Sequence, residues 1–258
     1  EKHVTGAALY VDDMPEPPGT LFAAFGLSAR PHARLKSVDL APVRAAPGVV
    51  AVMAAADIPG KNDCAPVFGD DPIFAEGIVE YVGQCIFAVA ATTIEAARRA
   101  ARLARIAYED RPALLTVEAA IAAKSLLEPP QVMKRGDASR AIARAKHRLQ
   151  GRLEVGGQEH FYLEGQAAFA VPGEDRDMFV LSSTQNPTEI QHVCAAALGI
   201  PDAAVTAECR RMGGAFGGKE TQGAFFAAVA ALLAWKTGRP VKARADRDDD
   251  MEMTGKRH

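Results

Sequence analysis

No Cys-x-x-Cys pair occurs in these 258 residues, and the four cysteines, Cys64, Cys85, Cys194 and Cys209, lie 21, 109 and 15 residues apart. That spacing gives no support to a zinc knuckle, a thioredoxin-type dithiol or an iron–sulfur cluster held within the chain. Scattered thiols in a chain of this length are expected as buried core residues in a reducing cytoplasm. There is no long apolar run either: the longest, Ala224 to Trp235, has twelve residues, too few to span a bilayer, and reads as a buried helix. An excess of charge is lacking too. The formal net charge of −2 removes the basic signature of a nucleic-acid binder. The chain opens Glu-Lys-His and shows no secretion signal, so a cytoplasmic location is expected. Internal repeats and low-complexity tracts are absent as well.

What is present is an ordinary globular composition, 48% hydrophobic and 24% charged, with enough chain for two domains or one large one. Strands are expected at 21–28, 34–40, 49–55 and 86–90, with a short helix over APVRAAPG and a strand at RIAYED. Thr93 to Arg105 predicts a helix capped by Thr93. On it, Arg98, Arg99, Arg102 and Arg105 form either an anion site or a solvated face, and the second is the simpler reading. An Ala-rich connector from Leu115 to Glu128 ends at Pro129-Pro130. Beyond it the pattern predicts a helix over 137–146, strands at 147–155, 167–171, 178–182 and 204–210, and a helix over 188–198 stopped by Gly199. Strands alternating with helices make an α/β or α+β fold.

The chemistry concentrates in three segments. Arg211 to Thr221, RMGGAFGGKET, is a glycine-rich loop between a strand and the apolar helix, a place where backbone amides can meet an anion or an electron-rich oxygen. It fails the dinucleotide fingerprint because Ala215 stands where the second glycine belongs. It matches a phosphate loop at Gly213, Gly218 and Lys219, but Glu220 replaces the hydroxyl that would hold magnesium. Gly156 to Glu164, GGQEHFYLE, gathers carboxylates, a histidine and aromatics; it lacks the second histidine of a zinc motif and is compatible with a polar strand end. Ser182 to Thr188, SSTQNPT, reads as a strand exit and helix start, with Asn186 or Thr188 as cap and Gln185 as either cap or ligand.

Taken in order, GGQEHFYLE, SSTQNPTEIQH, RRMGGAFGGKE, TGRP and DRDDDMEMTGKRH resemble the xanthine dehydrogenase and aldehyde oxidase family. The N-terminal VTGAALYVDDMPEPPGTLFAAFGLS and VEYVGQCIFAVAAT are similar to that family's α/β hammerhead domain. The resemblance implies a hammerhead domain at 1–113, a connector at 114–134 and the first part of the molybdopterin-binding domain at 135–258. It implies a molybdenum–molybdopterin cofactor, with 2Fe-2S and FAD on other domains or a partner subunit of a hetero-oligomer, and neither nucleic acid nor membrane as partner. Gln185 matches the family glutamine that hydrogen-bonds an oxygen of the molybdenum centre, and Phe216 and Gly217 match the loop whose backbone approaches that oxygen. Glu220 matches the glutamate that hydrogen-bonds the purine in xanthine-oxidising members. The implied reaction hydroxylates hypoxanthine or xanthine with oxygen from water and sends electrons through 2Fe-2S and FAD to NAD. Alternatives are an aldehyde or N-heterocycle oxidase of the same family and a non-catalytic assembly module. Ala215 departs from the family's usual glycine and would be strained if its φ were positive. The family's catalytic glutamate and most pterin contacts have no counterpart here, so the chain is expected to be an N-terminal fragment, inactive alone.

Overall fold

The computed structural model describes residues 1–256. The elements in chain order are β1 (Leu21–Leu27), β2 (Ala33–Asp39), α1 (Ala41–Arg44), β3 (Val49–Ala54), β4 (Ile78–Val79), β5 (Cys85–Ala91), α2 (Ile94–Ala101) and β6 (Arg105–Asp110). After them come α3 (Val117–Ala122), α4 (Ala138–Arg144), β7 (Ala167–Pro172), β8 (Met178–Ser182), α5 (Pro187–Leu198), β9 (Val205–Glu208), α6 (Gly223–Thr237), β10 (Val241–Arg244) and α7 (Arg247–Met253). The fold is mixed α/β, as expected. The contacts gather the described residues into two compact units, residues 1–111 with 158–256, and residues 112–157.

In the first unit a seven-stranded sheet runs β3-β5-β1-β10-β7-β8-β9, and a three-stranded sheet runs β4-β2-β6. The large sheet draws strands from both ends of the sequence: β10 lies between β1, to which it is parallel, and β7, to which it is antiparallel. Strand β5, CIFAVAA, is buried along its whole length. Such a run has no polar face because both faces are covered. Cys85, Ala88 and Ala90 join the main core, while Ile86, Phe87 and Val89 join a second one with Val43 and Val52. Helix α6 is apolar all round and therefore belongs inside. It packs on β7, β8 and β10 and against α5, burying eleven residues from Gly223 to Ala234.

Local signals set the helix ends. Thr93 Oγ1 accepts the Ala96 N–H, and Asn186 Oδ1 accepts the Glu189 N–H, which settles the cap of α5 on Asn186. Gly199 ends α5 at φ 63°. Helix α2 stops at Ala101, so Arg105 falls in β6 and the expected arginine cluster divides; Arg98 pairs with Asp246 at 2.8 Å. Cys64, Cys85 and Cys194 are buried free thiols, and burial pushes the Cys194 thiol up to about 12.

In the second unit α3 is capped by Thr116 and α4 by Asp137, and no residue from 112 to 157 is buried. The strand expected over residues 147–155 is not formed. Its alternating pattern finds no strand to pair with and no core to face, and Gly151 interrupts it; an isolated strand leaves its backbone groups unpaired.

Candidate functional site

One edge of the large sheet collects residues 158–164, 182–188 and 211–221 from the segments singled out by sequence. Strands β8 and β9 are adjacent and parallel, so the loop after each leaves at the same edge. Gln185 follows β8 and the glycine-rich loop follows β9. Strand β7 is antiparallel to β8, with Ala168 opposite Ser182, which brings its preceding segment 158–166 to that edge. Strand β10 is antiparallel to β7, with Arg244 opposite Ala167, and delivers α7 there too. Carboxyl ends of neighbouring parallel strands are where open α/β sheets place ligands.

At this edge Gln185 and the loop converge. Gln185 Oε1 accepts the N–H of Gly217 at 3.2 Å and of Lys219 at 3.3 Å, while the Gln185 backbone N–H donates to Lys219 O at 2.8 Å. Two donors on one side of the amide require its oxygen there, so the NH2 must face the other way. The loop amides expected to meet an external oxygen thus first grip a side-chain oxygen of the protein. Gln185, Phe216, Gly217 and Glu220 are all exposed, whereas Gly218 and Lys219 beneath them are buried. A methyl group added at Gly217 would sit 4.0 Å from Glu220 Oε1, which places the carboxylate beside the same turn.

The loop's shape is dictated by its glycines and by Phe216. Gly217 has φ 92°, and Phe216, a side-chain-bearing residue, is held at φ 54°. Strain of this kind is found where the surroundings over-determine the backbone. The strain anticipated at Ala215 does not arise, since its φ is not positive. A Cβ on Gly218 would meet His160 Cγ and Tyr162 Cε1 at 2.7 Å, so only glycine lets the loop lie on the 158–164 segment.

Beneath the loop lies a polar network that sequence did not disclose. The Lys219 side chain has no solvent exposure and turns inward: Nζ donates to Glu164 O at 2.7 Å and to Ser183 Oγ at 2.7 Å, and lies 3.4 Å from Glu164 Oε2. It also sits 4.6 Å over the Tyr162 ring. This direction removes the phosphate-loop reading, which needs that ammonium pointing out of the loop. Burial lowers the Lys219 pKa from the ordinary lysine value, opposed by the Glu164 carboxylate. Glu164 Oε2 further accepts the Ser183 hydroxyl at 2.7 Å and the Gly213 N–H at 2.8 Å. Tyr162 O–H donates to Asp250 Oδ1 at 2.7 Å and accepts from Gln166 Nε2, which also donates to Gly218 O. Burial, then the Asp250 contact, raises the Tyr162 pKa well above the usual phenol range. A lysine flanked by glycines and a carboxylate was the one sequence signal for this network, and it did not tell inward from outward.

Comparison with known proteins now decides the lineage. Residues 5–112 match the a/b hammerhead domain of aldehyde oxidase and xanthine dehydrogenase, and residues 123–258 match the molybdopterin cofactor-binding domain. The chain belongs to the xanthine dehydrogenase and aldehyde oxidase family. Within it, the xanthine dehydrogenase/oxidase of Gallus gallus is 41% identical over 258 residues, all of this chain and 19% of that protein. Aldehyde oxidase 2 of Cavia porcellus is 43% identical over 259 residues, again all of this chain and 19% of the relative. The chain thus spans about a fifth of the length of these curated relatives. Among solved structures, the aldehyde oxidoreductase from Desulfovibrio gigas is similar at a TM-score of 0.85 and 30% identity, covering 99% of this chain and 30% of that one. Quinoline 2-oxidoreductase from Pseudomonas putida 86 shares the fold at a TM-score of 0.80 and 24% identity, over 96% of this chain and 34% of that one.

The site residues suit a molybdopterin-dependent member. The exposed turn offers a glycine without a Cβ and an outward-facing amide NH2, both fitted to an oxygen-bearing group. Among the described residues no group of three or more His, Cys, Asp or Glu side chains converges as a metal site.

Proposed function

We propose that the chain is the part of a molybdenum hydroxylase that orients molybdopterin and a purine, with hypoxanthine or xanthine as substrate. The bound cofactor supplies the redox chemistry, moving an oxygen from water onto an electron-poor ring carbon and accepting two electrons. The chain's own groups position and stabilise. Gln185 presents its NH2 as a donor to a cofactor oxygen, while Phe216 and Gly217 shape the backbone wall beside it. Glu220, as a carboxylate, accepts a hydrogen bond from a ring N–H of the purine and so orients the ring. The electron acceptors would be 2Fe-2S and FAD, carried by other domains or a partner subunit, with NAD as the final acceptor. The functional division runs 1–113 for the hammerhead domain, 114–134 for a connector and 135–258 for the start of the molybdopterin-binding domain, in a cytoplasmic hetero-oligomer. No helix among the described residues is long and apolar enough to cross a membrane.

The observation that carries the proposal is the grip of Gly217 and Lys219 on Gln185 Oε1, next to the Glu220 carboxylate. It is tested with the full-length protein by measuring molybdenum and pterin per chain and turnover of hypoxanthine against benzaldehyde. Near-stoichiometric molybdenum with preference for hypoxanthine is expected, and Glu220→Val should lower kcat/KM for hypoxanthine about 10- to 100-fold, the worth of one hydrogen bond to a charged group. Absence of molybdenum would leave the assembly-module alternative standing. The similarity to aldehyde oxidase 2 motivates a second reading, oxidation of aldehydes or N-heterocycles. That reading predicts benzaldehyde as the better substrate and indifference to Glu220→Val.

A further inference from the structure

We propose that Lys219 is a positioning residue: its buried ammonium fixes the glycine turn so that Gln185 presents its amide NH2 outward, an inference that rests on the cofactor role proposed for Gln185. Lys219 holds its neighbour from two sides. Its N–H donates to Gln185 Oε1 at 3.3 Å, and its carbonyl accepts the Gln185 N–H at 2.8 Å and Thr184 Oγ1 at 3.3 Å. One residue therefore sets both the backbone and the side chain of Gln185.

The ammonium is what holds Lys219 in place. An ammonium has three hydrogens, and Nζ here has three oxygen partners, Glu164 O, Ser183 Oγ and Glu164 Oε2. Glu164 Oε2 binds the Gly213 N–H as well, so one carboxylate ties the start of the turn to Lys219 near its end. The pinned turn then denies Gln185, an exposed side chain with several free rotamers, the freedom it would otherwise have. A side chain already held in its binding orientation costs less to engage a ligand. Simple filling of the space would be met by an apolar residue, which avoids the desolvation of a charged pair. The full set of ammonium partners and the double grip on Gln185 point to orientation.

The test uses the full-length, cofactor-loaded protein and four variants: Gln185→Ala, Lys219→Met, the two combined, and Ser183→Ala. Two quantities are read, the rate of molybdenum release and the hydrogen exchange of the Gly217 amide. If Lys219 acts through Gln185, each single variant speeds release about tenfold, the loss of one good hydrogen bond. The double variant then adds no more than about twofold beyond either, because coupled residues are non-additive. Ser183→Ala keeps the Lys219–Glu164 pair and should fold, with faster Gly217 exchange and release raised about threefold. Should Lys219→Met fail to fold, Ser183→Ala alone and combined with Gln185→Ala decide by the same non-additivity. The proposal is overturned if the effects multiply, or if Ser183→Ala leaves both Gly217 exchange and molybdenum release unchanged. If the wild type carries no molybdenum, the proposed function fails instead, and Gly217 exchange in Ser183→Ala still judges the clamp.

Discussion

Residues 211–222 and residues 112–157 both contain little regular structure, yet they are opposites. The first has no helix or strand, but its backbone is tied by Gln185, Glu164 and Gln166, with Lys219 wholly buried among them. The second has two short, properly capped helices and not one buried residue. Caps and helical propensity therefore do not bury a segment here. Long-range hydrogen bonds to buried polar groups tie the first segment down, because breaking one leaves a desolvated donor or acceptor behind.

That contrast can be broken by substitution. The largest effect is expected from Gly218→Ala, whose methyl would meet His160 Cγ and Tyr162 Cε1 at 2.7 Å. About 2 kcal/mol should be lost, typical of overpacking, read as a fall in the denaturant midpoint at unchanged slope. If the variant is as stable as the parent, the loop is not seated on the 158–164 segment. Tyr162→Phe comes next. It removes the donor to buried Asp250 and the acceptor for Gln166, at a cost of about 1.5 kcal/mol, and the remaining Thr254 hydroxyl at 3.1 Å does not replace it. The smallest effect belongs to the exposed segment: Leu149→Ala, at a side chain with full exposure, should change stability by less than about 0.5 kcal/mol. A larger loss there would show that this side chain is covered in the protein measured, and the contrast would vanish.

The legibility of the sequence followed the range of the interactions. Thr93, Asp137 and Asn186 act over three residues; Thr93 and Asp137 cap where a short polar residue before a helical pattern says they should, and of the two candidates for α5, Asn186 and Thr188, Asn186 is the cap. The apolar run of α6 demanded burial, and α6 is buried. Strand β10, four residues long, carries no signal of its own; it exists because β1 and β7 flank it, one about 220 residues earlier in the chain for the Leu21–Val241 pair. The expected strand at 147–155 failed for the converse reason, a pattern with nothing to pair against. At the candidate site the loop, Gln185 and Glu220 stood out by residue type and motif. The inward turn of Lys219 did not, because it depends on Glu164 and Ser183, which lie 55 and 36 positions away.

By itself, then, the sequence determined the local pieces: helix caps and stops, which answer to neighbours a few positions away, and the buried character of α6, which follows from its own apolar run. Tertiary structure alone decided which edge of the sheet those pieces share and which way Lys219 and the Gln185 amide point. Strand pairing brings residues distant in the chain within hydrogen-bonding reach, and a buried charge takes its direction from the partners found there.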